Sequence, residues 1–250
     1  MKKIRLLISV LFIILFLAGC GGGGDSSAPP APTFEAEGLY RGTTATDRAA
    51  AGIILNDGTF YIVYSVENNP DVVAGVVQGN GTASEGSLSS SNAMDFNFEG
   101  LGVFPATVSA TYSPKQWVDG ILSYDNGNTV EFSTTYDTDY ENTPSLADLA
   151  GIFTGEVMFS LGSEDAEVTI SPTGAVSGVG ASGCIMTGSV APRASGNIYN
   201  VSITFGGAPC YFENQTMSGI CYYDSNTRQL WAAAPNATRT EGIMFVGDKP

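Results

Sequence analysis

The stretch GIILNDGTFYIVYS, residues 52–65, sets Asn56-Asp57-Gly58 between two runs rich in β-branched and aromatic residues. Asn, Asp and Gly tolerate the positive φ of a tight turn, and the flanking runs favour extended backbone, so the stretch reads as a β-hairpin. The pattern persists along the chain. Further strands are expected at residues 107–112 (TVSATY), 118–124 (VDGILSY), 129–136 (TVEFSTTY), 165–170 (DAEVTI), 199–205 (YNVSITF) and 228–234 (RQLWAAA), with turn residues between them. Strands return about every 10 to 12 residues, the spacing of an all-β sandwich or barrel.

Three short patterns recur in the same order. Gly38-Leu39-Tyr40-Arg41-Gly42 returns as Gly151-Ile152-Phe153-Thr154-Gly155, and Val108-Ser109-Ala110-Thr111-Tyr112 returns as Val201-Ser202-Ile203-Thr204-Phe205. Gly120-Ile121 with Tyr124-Asp125 returns as Gly219-Ile220 with Tyr223-Asp224. The offsets are 113, 93 and 99 residues, which predicts a tandem duplication. About eight strands fit into each half of roughly 100 residues, a size that suits a small closed barrel with a filled interior. The expected fold is therefore all-β, with two tandem small antiparallel β-barrels over residues 34–145 and 146–250. Each half is expected to bury its own core, and the second to fold alone. Gly38 should match Gly151, Val108 should match Val201 and Gly120 should match Gly219.

The glycine and aromatic residues that open each half resemble the first strand of calycin-like barrels, including those of surface lipoproteins such as transferrin-binding protein B and factor H-binding protein. Residues 182–210 (SGCIMTGSVAPRASGNIYNVSITFGGAPC) and 217–247 (MSGICYYDSNTRQLWAAAPNATRTEGIMFVG) resemble a family of proteobacterial outer-membrane lipoproteins. These resemblances imply a location and a fold, and no ligand residues.

The N-terminus supplies an address. Lys2, Lys3 and Arg5 precede an apolar run from Leu6 to Leu17 broken only by Ser9, followed by Leu17-Ala18-Gly19-Cys20. Residues 1–19 read as a secretory signal, since the run is too short to span a bilayer. Leu-Ala-Gly-Cys resembles the lipobox of bacterial lipoproteins, which implies an acylated (palmitate-bearing) Cys20 as the mature N-terminus. Residues 20–33 then form a Gly, Ser and Pro tether. Gly21 stands where Asp favours inner-membrane retention, so the resemblance implies the outer membrane. The expected membrane partner is reached through the lipid on Cys20.

Without residues 1–19, seven Lys and Arg face 25 Asp and Glu, a formal charge of −18. Such a polyanion is repelled by nucleic acid and by anionic lipid, and the charges are scattered in the manner of a solubilising surface. Three cysteines follow the lipidated one. Alternation puts Cys221 on the face of Tyr223, a core position, which leaves Cys184 and Cys210 as the expected disulfide in an oxidising compartment.

The chain has no His, which removes Ser-His-Asp and Cys-His catalysis and His-ligated metals. No phosphate-binding glycine loop is present, and no cofactor or metal is expected. Asp137-Thr138-Asp139-Tyr140-Glu141 alternates oxygen donors but lacks the EF-hand pattern, and reads as an acidic linker. Trp117 and the group Tyr211, Tyr222, Tyr223 and Trp231 read as core or hairpin aromatics, with an exposed patch as the alternative. The expected function is a non-enzymatic binding or structural module of the envelope, with a possible protein partner. The alternatives are an accessory binder serving an outer-membrane transporter or a secreted cargo, and a carboxylate-only glycoside hydrolase.

Overall fold

The computed structural model describes residues 34–250. The expected signal peptide, Cys20 and the tether lie outside the described residues. Among the described residues, nine strands precede residue 138: β1 (Gly38–Thr44), β2 (Ala49–Ile54), β3 (Thr59–Val66), β4 (Asn69–Asn80), β5 (Thr82–Ser84), β6 (Ser87–Asn97), β7 (Gly102–Ser113), β8 (Trp117–Tyr124) and β9 (Thr129–Asp137). Eight more follow: β10 (Gly151–Phe159), β11 (Gly162–Ile170), β12 (Ala175–Gly180), β13 (Ile185–Pro192), β14 (Tyr199–Phe205), β15 (Thr216–Asp224), β16 (Gln229–Pro235) and β17 (Gly242–Asp248).

Both sets close into eight-stranded antiparallel rings. In the first, β1 pairs with β9 and β4 pairs with β6, and the short β5 carries the β4 pairing on along the same side of β6. In the second, β10 pairs with β17. Closure pairs the strands of both rings on either side, and among the described residues the short β5 alone ends a sheet order. The turns are built from local chemistry. Gly58, Gly127 and Gly174 all have φ near +80°, and in each turn the glycine N–H donates to the carbonyl three residues earlier, at 2.9 to 3.0 Å. Asp57 and Asn126 secure two of these turns by accepting the N–H of Thr59 and Asn128, each at 2.9 Å.

The proposed repeat holds at its first motif only. Gly38 and Gly151 open the first strand of each ring, and Gly42 and Gly155 face the eighth strand, where a Cβ would collide with the carbonyl oxygens of Ser133 and Val246. Val108, however, lies on the sixth strand of its ring (β7), whereas Val201 lies on the fifth (β14). Gly120 is on the seventh (β8) and Gly219 on the sixth (β15). In an up-and-down barrel, neighbouring strands run in opposite directions, so these pairs are not equivalent. The cause is generic. Any barrel strand crossing a neighbour closely wants glycine, and Gly120 and Gly219 each press against a neighbouring carbonyl, of Ser109 and Ala233.

The chain enters the first barrel at one end and closes it there. Phe34 lies against the Gly58 turn, Tyr40 Oη donates to Ala36 O at 3.1 Å, and Tyr112 Oη donates to Glu35 Oε2 at 2.8 Å. Above this plug, Tyr40, Phe60, Leu88, Val108 and Val118 fill the lower half. The second barrel has its own core, with Phe153, Val168, Met186, Val201, Met217 and Phe245.

A third apolar cluster lies between the barrels. Leu39, Ile53, Tyr61, Val63, Val76 and Phe96 point outward from the first ring and pack with Met158, Ile198, Ile220, Tyr222, Ala233 and Met244 of the second half. Arg41 reinforces the contact. Its Nε pairs with Asp137 at 2.5 Å, its Nη2 meets Tyr222 Oη at 3.3 Å, and its guanidinium lies over Tyr222 and Trp231. Each half has a private core, as expected, and each also presents an apolar flank that the other covers.

Candidate ligand-binding site

The upper half of the first barrel is not filled, although side chains can fill a ring of this size completely. A cavity of about 630 Å³ opens at the end opposite the chain entry, among the loops β1–β2, β3–β4, β6–β7 and β8–β9. Strand alternation lines its walls with Ala50, Ile62, Val77, Leu122, Val130 and Phe132. An eight-stranded ring is wide enough to hold one small ligand when its inward side chains stop short of the axis.

One buried charge stands in this apolar space. Asp95, on β6, is 4% exposed and lines the cavity. Tyr64 Oη donates to Asp95 Oδ1 at 2.7 Å, and Tyr124 Oη donates to Oδ2 at 2.7 Å. The two phenols reach from opposite sides of the ring. Tyr64 comes from β3 across β4, and it does so over Gly75, where any Cβ would strike the phenol. Tyr124 comes from β8 across β7, over the small side chain of its register partner Ala106. Asn97 Nδ2 donates to Tyr64 Oη at 3.2 Å and completes the chain of hydrogen bonds.

Electrostatics follow from this geometry. Burial raises the Asp95 carboxyl above its ordinary range, the Tyr124 and Tyr64 hydroxyls and Arg48 draw it back, and Glu99 pushes it up. Burial, and then the Asp95 charge, raise both tyrosines far above the ordinary phenol value, so the phenols stay protonated and donate. Arg48 stands at the mouth. It pairs with Glu99 at 3.0 Å, donates to Ser65 O at 2.8 Å, and holds its guanidinium 5.7 Å from the centre of the Tyr64 ring.

The second barrel differs at the corresponding end. Its residual internal space is about 50 Å³ and apolar throughout. The β14–β15 loop folds over the opening, and Phe212, 3% exposed, packs beside Phe159 and Phe205. Cys184 and Cys210 form a disulfide that ties this loop to the start of β13. Cys221 is a free thiol buried in the wall beside Tyr223. A larger hollow, about 750 Å³, runs outside the second barrel near Asp71. Its carboxylates Asp71, Glu156, Asp165, Glu167 and Asp248 are all exposed, as befits a solvated groove.

The acidic stretch at residues 137–141 is absorbed by structure. Asp137 pairs with Arg41, Glu141 pairs with Lys115 at 2.7 Å, and Tyr140 is buried and donates to Glu37 at 2.9 Å. Of the aromatic group, Tyr223 is in a core, Tyr222 and Trp231 are at the interface, and Tyr211 and Trp117 are exposed. The cavity residues Tyr64, Asp95, Asn97 and Arg48 were not among the expected site residues. Tyr64 lay in the expected hairpin of residues 52–65 and Tyr124 in a recurring motif, neither with a role in a site.

The described residues thus form an all-β body of two closed eight-stranded antiparallel barrels, one hollow at its mouth and one filled. No protein-family model matches the chain, and no curated protein matches it either. Among solved structures it is similar to isotype 1 transferrin binding protein B from serogroup B Neisseria meningitidis, at 9% identity with a TM-score of 0.31. That match covers 81% of this chain and 66% of that one, just under two thirds of the neighbour's length.

Proposed function

We propose that the chain is a non-enzymatic binding module, lipid-anchored at the outer membrane through Cys20, whose first barrel (within residues 34–145) receives a small ligand. The second barrel, within residues 146–250, is a filled brace. One observation carries this reading: of two rings with the same strand count, one keeps an open cavity with a buried carboxylate and the other is plugged. An apolar pocket with a few convergent polar groups is the usual form of a ligand site. The Leu17-Ala18-Gly19-Cys20 motif and Gly21 support the anchor and its membrane.

Glycoside hydrolysis fits poorly. It needs two carboxylates flanking the scissile bond, and the deep cavity offers one, with both oxygens already accepting from tyrosines. A protein partner is the second reading. Leu161, Ile185 and Tyr211 are 73%, 63% and 52% exposed at the plugged end of the second barrel, where an accessory binder could meet a transporter or a cargo.

A thermal-shift screen of small molecules against the wild type and Ile62→Trp, which fills the cavity, tests the main reading. Compounds that stabilise only the wild type support it. If every hit stabilises both proteins equally, the cavity is not the receptor.

A further inference from the structure

We propose that the cavity of the first barrel selects an organic cation: a molecule with an apolar body and a basic nitrogen that docks on Asp95. This inference rests on reading the cavity as a ligand site and names what the site takes.

Charge is the first argument. Asp95 lies inside, and Glu67, Glu99 and Asp125 line the mouth, against the single cation Arg48. Arg48 is already engaged by Glu99 and by the Ser65 carbonyl. A fatty acid or a phosphate ester entering the barrel would meet carboxylates with no free cation to receive it. An ammonium would meet the opposite.

The second argument concerns Asp95 itself. Its hydrogen bonds come from neutral phenols, so among the described residues the buried carboxylate has donors but no ion-pair partner. Each of its oxygens accepts one phenol and has capacity for a second donor. A buried charge of this kind is costly unless an opposite charge is brought to it, and a ligand ammonium would supply that charge at hydrogen-bond distance.

Aromatic faces give the third. Tyr64, Tyr124, Phe132 and Phe104 line the cavity, and their ring faces attract cations. The protein already seats a cation of its own on one of them, since the Arg48 guanidinium lies over Tyr64. The aliphatic walls at Ile62, Val77, Leu122 and Val130 suit the apolar body of the same molecule.

Calorimetric titration of the purified protein with 4-phenylbutylamine, 4-phenylbutanol and 4-phenylbutyrate tests the assignment, near neutral pH and at physiological salt. The three probes share a body and differ in the head. The amine should bind about tenfold tighter than the alcohol, the effect of a charge-assisted hydrogen bond replacing a neutral one, and the acid should bind weakest. Asp95→Asn should erase the preference while the alcohol still binds, which shows that the variant is folded. Ile62→Trp should abolish binding of all three; if it fails to fold, Ala50→Leu narrows the same wall. Equal binding of amine and alcohol, or a preference for the acid, overturns the cation assignment and leaves the receptor reading in place. Binding of all probes unchanged by cavity filling, or no binding of any probe, overturns both.

Discussion

Gly242 of the second barrel lies against the ring of Phe96 of the first, so closely that a Cβ on the glycine would stand 2.8 Å from Phe96 Cδ1. Phe96 has no room to retreat, being 1% exposed within the inter-barrel cluster. Gly242→Val should therefore destabilise the whole chain by about 1–3 kcal/mol, the usual cost of overpacking. A chemical-denaturation midpoint indistinguishable from wild type would show that the contact is loose. Residues 146–250 expressed alone should aggregate or unfold, because Met158, Ile198, Ile220 and Met244 lose their cover. A monodisperse, cooperatively folding fragment would restore the idea of two independent halves.

Asp95 should make stability depend on pH. Its folded-state carboxyl is raised, facing Tyr64 from β3, Tyr124 from β8, Arg48 from the β1–β2 loop and Glu99 from the β6–β7 loop. A raised carboxyl contributes stability that is fully present below the ordinary value of about 3.9 and is lost as pH rises through the folded value. Asp95→Asn should therefore gain on the wild type as pH rises towards neutral, and lose that advantage below about pH 4. Melting curves across this range give the answer. A variant whose relative stability falls as pH rises would mean that the two phenols outweigh the cost of burial.

The second barrel should depend on its disulfide. A bridge closing 26 residues contributes about 3–4 kcal/mol in the chain-entropy account. Replacing Cys184 and Cys210 with Ser should lower the denaturation midpoint accordingly and loosen the loop that carries Phe212. Cys221 reports on that loosening. Burial pushes its thiol up to about 12, so it should resist a thiol reagent in the native protein and react faster in the double variant. Equal labelling rates in the two proteins would show that Phe212 stays seated without the bridge.

Cys20→Ala should move the protein from the membrane fraction to the soluble fraction. The basic start, the short apolar run and Leu17-Ala18-Gly19-Cys20 motivate this. A variant still membrane-bound after a high-salt wash would replace the lipid anchor with a retained apolar segment.

Strands were legible where the signal is local. Asn56-Asp57-Gly58 and the runs beside it need only their own residues to make a hairpin, and alternation placed Cys221 with Tyr223 in a core. Strand β6 was not legible, for two reasons. A register shift between Ser90 and Ala93 moves the inward positions from Leu88 and Ser90 to Ala93, Asp95 and Asn97, so the period breaks within the strand. Its outward residues Met94 and Phe96 are apolar because the second barrel covers them, which removes the contrast between faces. The site was hidden with it. Tyr64, Asp95 and Tyr124 are about 30 residues apart in sequence and converge only when the ring closes.

The inter-barrel cluster also gives the cavity unequal walls. Strands β2 to β4 show Ala50, Ile62, Tyr64 and Val77 to the cavity, while Ile53, Tyr61, Val63 and Val76 on their outer faces are pinned against the second barrel. On the far side, β7 to β9 turn Thr107, Ser109, Ile121, Glu131 and Ser133 to solvent, and only Val103 and Tyr136 near their ends touch the inter-barrel cluster. The cavity has an anvil on one side and a spring on the other. A guest too broad for the resting space must be accommodated by outward flexing of β7 to β9, and amide exchange there, rather than along β2 to β4, is where its arrival would register.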